Sequence, residues 1–138
     1  MTRTMTGLLL VAILAVAGCR NMPVYNPQNV SFAPSAASSS KQLRLKDFKN
    51  AIIRAGAKRG WAFTQKAPGH LIGKVTVRGK HYAEVDVLFD QEAFTINYRN
   101  SRDLKYMPEN NTIHKNYNTW INNLQKDIQS EITILKAS

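Results

Sequence analysis

The chain is expected to fold as an α+β domain: two layers, a four-stranded antiparallel meander, and an N-terminal and a C-terminal helix packed on one face. Three observations predict this. Residues 45–55 and 113–135 carry apolar side chains at intervals of three and four, the spacing of a helix with one buried face. Four segments between 61 and 99 alternate apolar and polar residues, the spacing of a strand with one face on a core. The connections between those four segments are too short for parallel crossovers, which need a dozen or more residues.

Taken in order, the first helix spans about 41–59. Leu45, Phe48, Ile52 and Ala55 form its apolar stripe, Asp47, Asn50, Arg54 and Lys58 its polar face, and Gly60 its stop. A serine from 38–40 is the expected cap. The first strand carries Trp61 and Phe63, and Pro68-Gly69 turns the chain. Leu71, Gly73, Val75 and Val77 then share one face of the second strand, and Ala83, Val85, Val87 and Phe89 one face of the third. Phe94, Ile96 and Tyr98 do so in the fourth.

Pairing Val77 with Ala83 sets Lys74 opposite Asp86 and Thr76 opposite Glu84. Pairing Phe89 with Phe94 sets Glu84 opposite Arg99. Cross-strand neighbours on one face interact, so both outer-face acids gain basic neighbours and need no chemistry to explain them. Ile72, Tyr82 and Leu88 also fall on the outer face and mark a contact patch. Residues 99–112 form a polar connection, with Asn111 or Thr112 as the expected cap of the last helix. That helix carries Ile113, Tyr117, Trp120, Ile121, Leu124, Ile128, Ile132 and Leu135 on one face.

Ahead of the domain stands a different kind of segment. Arg3 precedes an apolar run over 7–17, of signal-peptide length and short of the roughly 20 residues that span a bilayer. It ends in Val16-Ala17-Gly18-Cys19, with the one cysteine of the chain last. These four residues resemble the signal of a bacterial lipoprotein precursor: an aliphatic residue, a small one, Gly or Ala, then Cys. The resemblance covers about the first 19 residues. It implies cleavage between Gly18 and Cys19, a diacylglycerol thioether on the Cys19 sulfur, and acylation, as with palmitate, of the new amino terminus. It also implies a membrane address. Arg20, where an Asp would hold a lipoprotein back, implies the outer membrane, facing the periplasm.

On that reading 1–18 is a leader, 19–40 a lipidated flexible tether and 41–138 a single globular domain. Pro23, Pro27, Pro34 and the run Ser35-Ala36-Ala37-Ser38-Ser39-Ser40 suit a tether. Val24, Tyr25, Val30 and Phe32 leave open that part of it docks on the domain.

Removing 1–18 leaves 120 residues, one domain's worth. With Cys19 carrying lipid, no disulfide within the chain is available and packing alone must hold the fold. The whole chain is +10 and loses one cation, Arg3, with the leader. Export turns that charge away from nucleic acid and toward phospholipid, lipopolysaccharide or peptidoglycan anions. Residues 41–60 hold seven cations against Asp47, so Arg54 and Lys58 are candidate contacts for an anionic surface.

No catalytic constellation stands out. His70, His81 and His114 lack metal-ligand spacing, Glu84-x-Asp86 sits among cations, and no nucleophile elbow or phosphate loop occurs. No metal, cofactor or enzymatic activity is expected. The densest group of binding-type residues is Tyr98, Tyr106, His114, Tyr117 and Trp120, with Asn100, Asn110, Asn111, Asn116 and Asn118 among them. Rings with amides suit a glycan or peptide, although Tyr117 and Trp120 also sit at core positions of the helix. The expectation is therefore a lipid-anchored, non-enzymatic binding or accessory module for another envelope component. A glycan- or peptidoglycan-binding lipoprotein is the alternative, and an enzyme a remote third.

Overall fold

The computed structural model describes residues 21–34 and 42–138. The leader, the expected cleavage and lipidation position Gly18–Cys19 and the serine run lie outside these residues. The architecture is α+β. In chain order it runs β1 (Asn21–Pro23), β2 (Val30–Ser31), α1 (Leu45–Ala57), β3 (Ala62–Ala67), β4 (His70–Val77), β5 (His81–Phe89), β6 (Ala93–Arg102), β7 (Thr112–His114) and α2 (Lys115–Ala137). The main sheet is antiparallel with order β2-β6-β5-β4-β3, and β1 pairs with β7 in a separate two-stranded sheet.

Period-2 alternation does what the sequence asks of it. Leu71, Val75, Ala83, Val85, Val87, Phe94 and Ile96 turn inward, where they meet Phe48, Ala51, Ile52 and Ala55 of α1 and Tyr117, Ile121, Leu124, Ile128 and Ile132 of α2. The β3 edge joins this core through one ring. Phe63 lies between Gly56 of α1 and Gly73 of β4: a Cβ at Gly73 would come within 2.6 Å of Phe63 Cε1, and one at Gly56 would collide with Cε2. Both glycines are needed so that helix and sheet can close on the ring.

Four expectations are corrected. The main sheet has five strands rather than four, because β2, from the stretch expected to be tether, pairs with β6 through Val30↔Phe94. Residues 21–34 are therefore part of the folded unit. Phe32 is 6% exposed, stacks on Phe94 and packs tilted against Phe48, with centroids 5.5 Å away in each case. Tyr98 N–H donates to Asn26 Oδ1, Ile96 N–H to the Pro27 carbonyl, and Asn118 Nδ2 to the Pro23 carbonyl. The prolines that suggest a spacer have no amide hydrogen to offer a ladder, yet their carbonyls still accept.

The β4–β5 register is displaced by two residues from the expected one. Val75 faces Ala83 and Lys74 faces Glu84, because Val77-Arg78-Gly79-Lys80 closes as a tight turn. Arg78 and Gly79 both have positive φ, and Lys80 N–H donates to the Val77 carbonyl. A shift of two keeps every side chain on its face, so the inward set survives it. In the β5–β6 pair, Phe89↔Phe94 and Asp86↔Asn97 hold, but a bulge makes Arg99 the extra residue between Tyr98 and Asn100.

The helix ends also differ. Leu45 rather than Lys41 opens α1, closed by a reciprocal bond pair: Arg44 N–H donates to Asp47 Oδ2 and Asp47 N–H to the Arg44 carbonyl. The cap of α2 is His114, whose Nδ1 accepts from Asn116 N–H, because Thr112 and Ile113 are taken into β7.

Candidate functional site

The expected site residues separate into three environments. Tyr117 is fully buried at the base of α2, its hydroxyl without a hydrogen-bond partner among the described residues. Burial, with Tyr98 beside it, pushes that phenol far above its ordinary value. Its role as a ligand contact is thereby corrected to a core one. Tyr98 lies edge-on to Tyr117 and stacks on Tyr106 at 4.2 Å, so these ring faces are spent on one another. Burial raises the Tyr98 phenol, while the Ser101 hydroxyl bonded to it pulls the other way. Trp120 is half-buried against the core. The amides between these rings are largely structural: Asn118 holds the Pro23–Tyr25 backbone, and Asn110 accepts from the Thr112 hydroxyl.

Arg54 and Lys58 belong to a second environment. They converge on Glu131 of α2 at 3.4 and 2.7 Å, and Arg59 pairs with Asp127 at 2.7 Å. Asp127 and Glu131 stand one helical turn apart, so one face of α2 answers the cationic flank of α1. The Lys58 ammonium holds the Glu131 carboxyl below its usual range, against the opposing effect of burial and with help from Arg54. Arg54, Lys58 and Arg59 are thus met within the fold, whereas Lys46 and Lys49 have no carboxylate within 4 Å among the described residues.

The outer face of the sheet carries the expected ion-pair ladder with one addition. Arg99, extended by the bulge, reaches Asp86 at 3.0 Å and Glu84 at 3.5 Å, and Lys74 stands 3.7 Å from Glu84. His70 Nε2 donates to Asp86 Oδ1 at 2.6 Å. Sequence parity puts His70 on this face, but only the shifted register brings it beside Asp86. Tyr82 donates to Glu84 and lies under the Arg102 guanidinium at 4.5 Å. Burial first, then the Glu84 carboxylate, raises its phenol. Tyr82 is therefore engaged, and of the expected Ile72–Tyr82–Leu88 patch only Leu88 is counted among the exposed large apolar residues.

The third environment is one that sequence reasoning missed except for His114. At the end of the sheet marked by the β4–β5 turn, an open cleft of about 550 Å³ is lined by Lys80, His81, Asp103, Lys105, His114 and Lys115. Its wall is the loop that follows β6, and that loop is held against strain. Asp103 and Lys105 both have positive φ, at 56° and 53°, a region that aspartate tolerates but that costs a residue such as lysine about 1 kcal/mol or more. Three successive carbonyls fix it. Asp103 O accepts from His81 Nδ1 at 2.8 Å, Leu104 O from His114 N–H at 2.8 Å, and Lys105 O from Asn21 Nδ2 at 2.9 Å. A carbonyl cannot donate, so His81 carries its proton on Nδ1. Leu104, 2% exposed, pins the loop from beneath.

Lys80, Lys105 and Lys115 come from a hairpin turn, a loop and a helix start, 35 residues of chain from first to last. The one signal that could have grouped them is that each abuts a turn or cap residue. Among the described residues none of the three has a carboxylate within 4 Å. The cleft can hold an anion by charge and by lysine N–H donors. Among the described residues no group of three or more His, Cys, Asp or Glu is placed to hold a metal ion, and no helix is long and apolar enough to cross a membrane. Comparison with protein-family models, with curated proteins and with solved structures gives no match to this chain.

Proposed function

We propose that the protein is a lipid-anchored envelope protein of non-enzymatic type, a binding module whose contact site is the cation-lined cleft and whose ligand is an anionic component of the envelope. The four residues Val16-Ala17-Gly18-Cys19 support the anchor. The observation that carries the contact site is the convergence of Lys80, Lys105 and Lys115 around a loop that three hydrogen bonds keep in a strained form. Strain of this kind persists where the surroundings over-determine it, and it clusters at sites that present groups to a ligand. The candidate cations Arg54 and Lys58, by contrast, are met by Glu131, and the Tyr98, Tyr106 and Tyr117 rings pack on one another. This favours the basic cleft over a stacked-glycan site.

Two measurements test the proposal. Intact-mass and N-terminal peptide analysis of the protein from membranes should show acylated Cys19 as the first residue; an unmodified cysteine there removes the anchor. A photo-crosslinking side chain at position 80 or 115 should give envelope adducts that the same side chain at position 66, on the far hairpin, does not. Equal adducts from all three positions would remove the cleft as the site.

A further inference from the structure

The short stretch of chain between Cys19 and β1 bears on what the cleft faces. Asn21, the second residue after Cys19, is already folded. It pairs with His114, the chain neighbour of Lys115, and its side chain donates to the Lys105 carbonyl at 2.9 Å. Two peptide units limit the Cys19 Cα to about 7.6 Å from that of Asn21, whatever conformation they take. A 21-residue spacer would have reached roughly 70 Å. Residues 35–41 join β2 to α1 and so cannot lengthen the link to the anchor.

We propose, resting on lipidation of Cys19, that the cleft end of the domain sits directly on the bilayer that holds the acyl chains, with Lys80, Lys105 and Lys115 against the phosphates of anionic lipid head groups. Charge complementarity and the length of the link both favour this occupant. The link is about as long as the Debye length of about 8 Å at physiological salt, so charge beside Asn21 is only partly screened from the surface. Arg78 shares the turn with Lys80, adding a cation at the same end. Met22 and Met107, both exposed, sit on neighbouring strands of this end: Met22 in β1, and Met107 bridged to Thr112 of β7. They give apolar side chains to the interfacial zone. The lipid sets how near the surface is, and the lysines set which end faces it. Several acyl chains on Cys19 already hold the protein stably, so what the lysines add is orientation.

The experiment is amine acetylation read lysine by lysine in the full lipidated protein, reconstituted into vesicles of phosphatidylcholine alone or of phosphatidylcholine mixed with phosphatidylglycerol. Lys80, Lys105 and Lys115 should react several-fold more slowly in the phosphatidylglycerol vesicles and recover in high salt. Lys46 on α1 and Lys66 on the far hairpin should react alike in both. Equal rates at the three cleft lysines in the two vesicle types, or protection of Lys46 and Lys66 instead, would overturn the proposal. The same digest reports the mass of the Cys19 peptide. An unacylated Cys19 fails the anchor itself, whereas an acylated Cys19 with equal lysine rates fails only the orientation.

Discussion

Replacing Tyr117 with phenylalanine should make the protein more stable. The ring stays fully buried, T-shaped against Tyr98 at 5.6 Å, and only the hydroxyl is lost. That hydroxyl has no partner among the described residues. A buried, unmade hydroxyl bond costs about 1–3 kcal/mol, and deleting the group restores most of it because no partner is orphaned in exchange. The oxygen leaves a void smaller than a methyl group, which offsets a few tenths. A net gain of about 1 kcal/mol remains, about 4–6 °C in Tm for a domain of this size. The measurement is urea denaturation of wild type and variant at neutral pH, with slopes compared. A loss of about 1 kcal/mol or more would refute the reasoning and mean that an ordered water serves the hydroxyl. A second signature accompanies the first. The folded-state value of this phenol is raised, so the folded protein keeps a proton that the unfolded chain releases above about pH 10. Its contribution is whole below that pH and is lost as pH rises further. The phenylalanine variant should lose stability less steeply in alkali.

Four further outcomes follow from the packing. Phe32→Ala should cost about 3 kcal/mol in denaturation experiments, as truncating a core aromatic does, whereas a residue of a free tether would cost nothing. Gly73→Ala should destabilise by about 1–3 kcal/mol through collision with Phe63 and Val85, and Phe63→Leu in the same chain should return part of the loss. Glu131→Gln should cost about 1 kcal/mol at neutral pH, since Arg54 and Lys58 are half-exposed and water screens them. The Glu131 carboxyl is depressed in the folded state, so its contribution is present above the ordinary glutamate range and lost as pH falls through the folded value. Glu131→Gln should therefore flatten the acid limb of stability against pH, and unchanged curvature would count against the Arg54–Glu131–Lys58 clamp.

Periodicity made the core legible and left the connections dark. Leu71 to Val77, Ala83 to Phe89 and Ile113 to Ile132 each announce a buried face because one-sided burial requires a repeat of two or of 3.6. Those repeats survive an error of two in register, so the inward residues are the same whether Val77 pairs with Ala83, as the alternation suggests, or with His81, as it does. Nothing in a repeat fixes where a turn closes. The pairing of Val77 with His81 depends on Arg78 and Gly79 adopting positive φ together, and arginine gives no hint that it will. The strand β2 has two residues, too few to alternate. Its place follows from long-range bonds such as Asn29 N–H to Thr95 Oγ1, across 66 residues. The cleft was hidden for the same reason. Its lysines lie at the ends of elements, where side chains follow no period and only the closed fold brings them together.

How the charge is spent distinguishes the two ends of the molecule. A segment of +6 at 41–60 invites a reading as a membrane-facing helix, yet Arg54, Lys58 and Arg59 are met by Asp127 and Glu131. Turning that flank outward to a membrane would leave two α2 carboxylates without partners, a loss on one side for each gain on the other. Lys74 and Arg99 are likewise answered by Glu84 and Asp86. Cations with no carboxylate beside them among the described residues remain on α1 as Lys46 and Lys49, and at the cleft end they gather as Arg78, Lys80, Lys105 and Lys115 against Asp103 alone. An excess of this kind disfavours the compact state by self-repulsion, and the fold adds loop strain at Lys105 beside it. Two local costs in one place, next to the strand that follows Cys19, are what a contact surface would explain and a solvated surface would not.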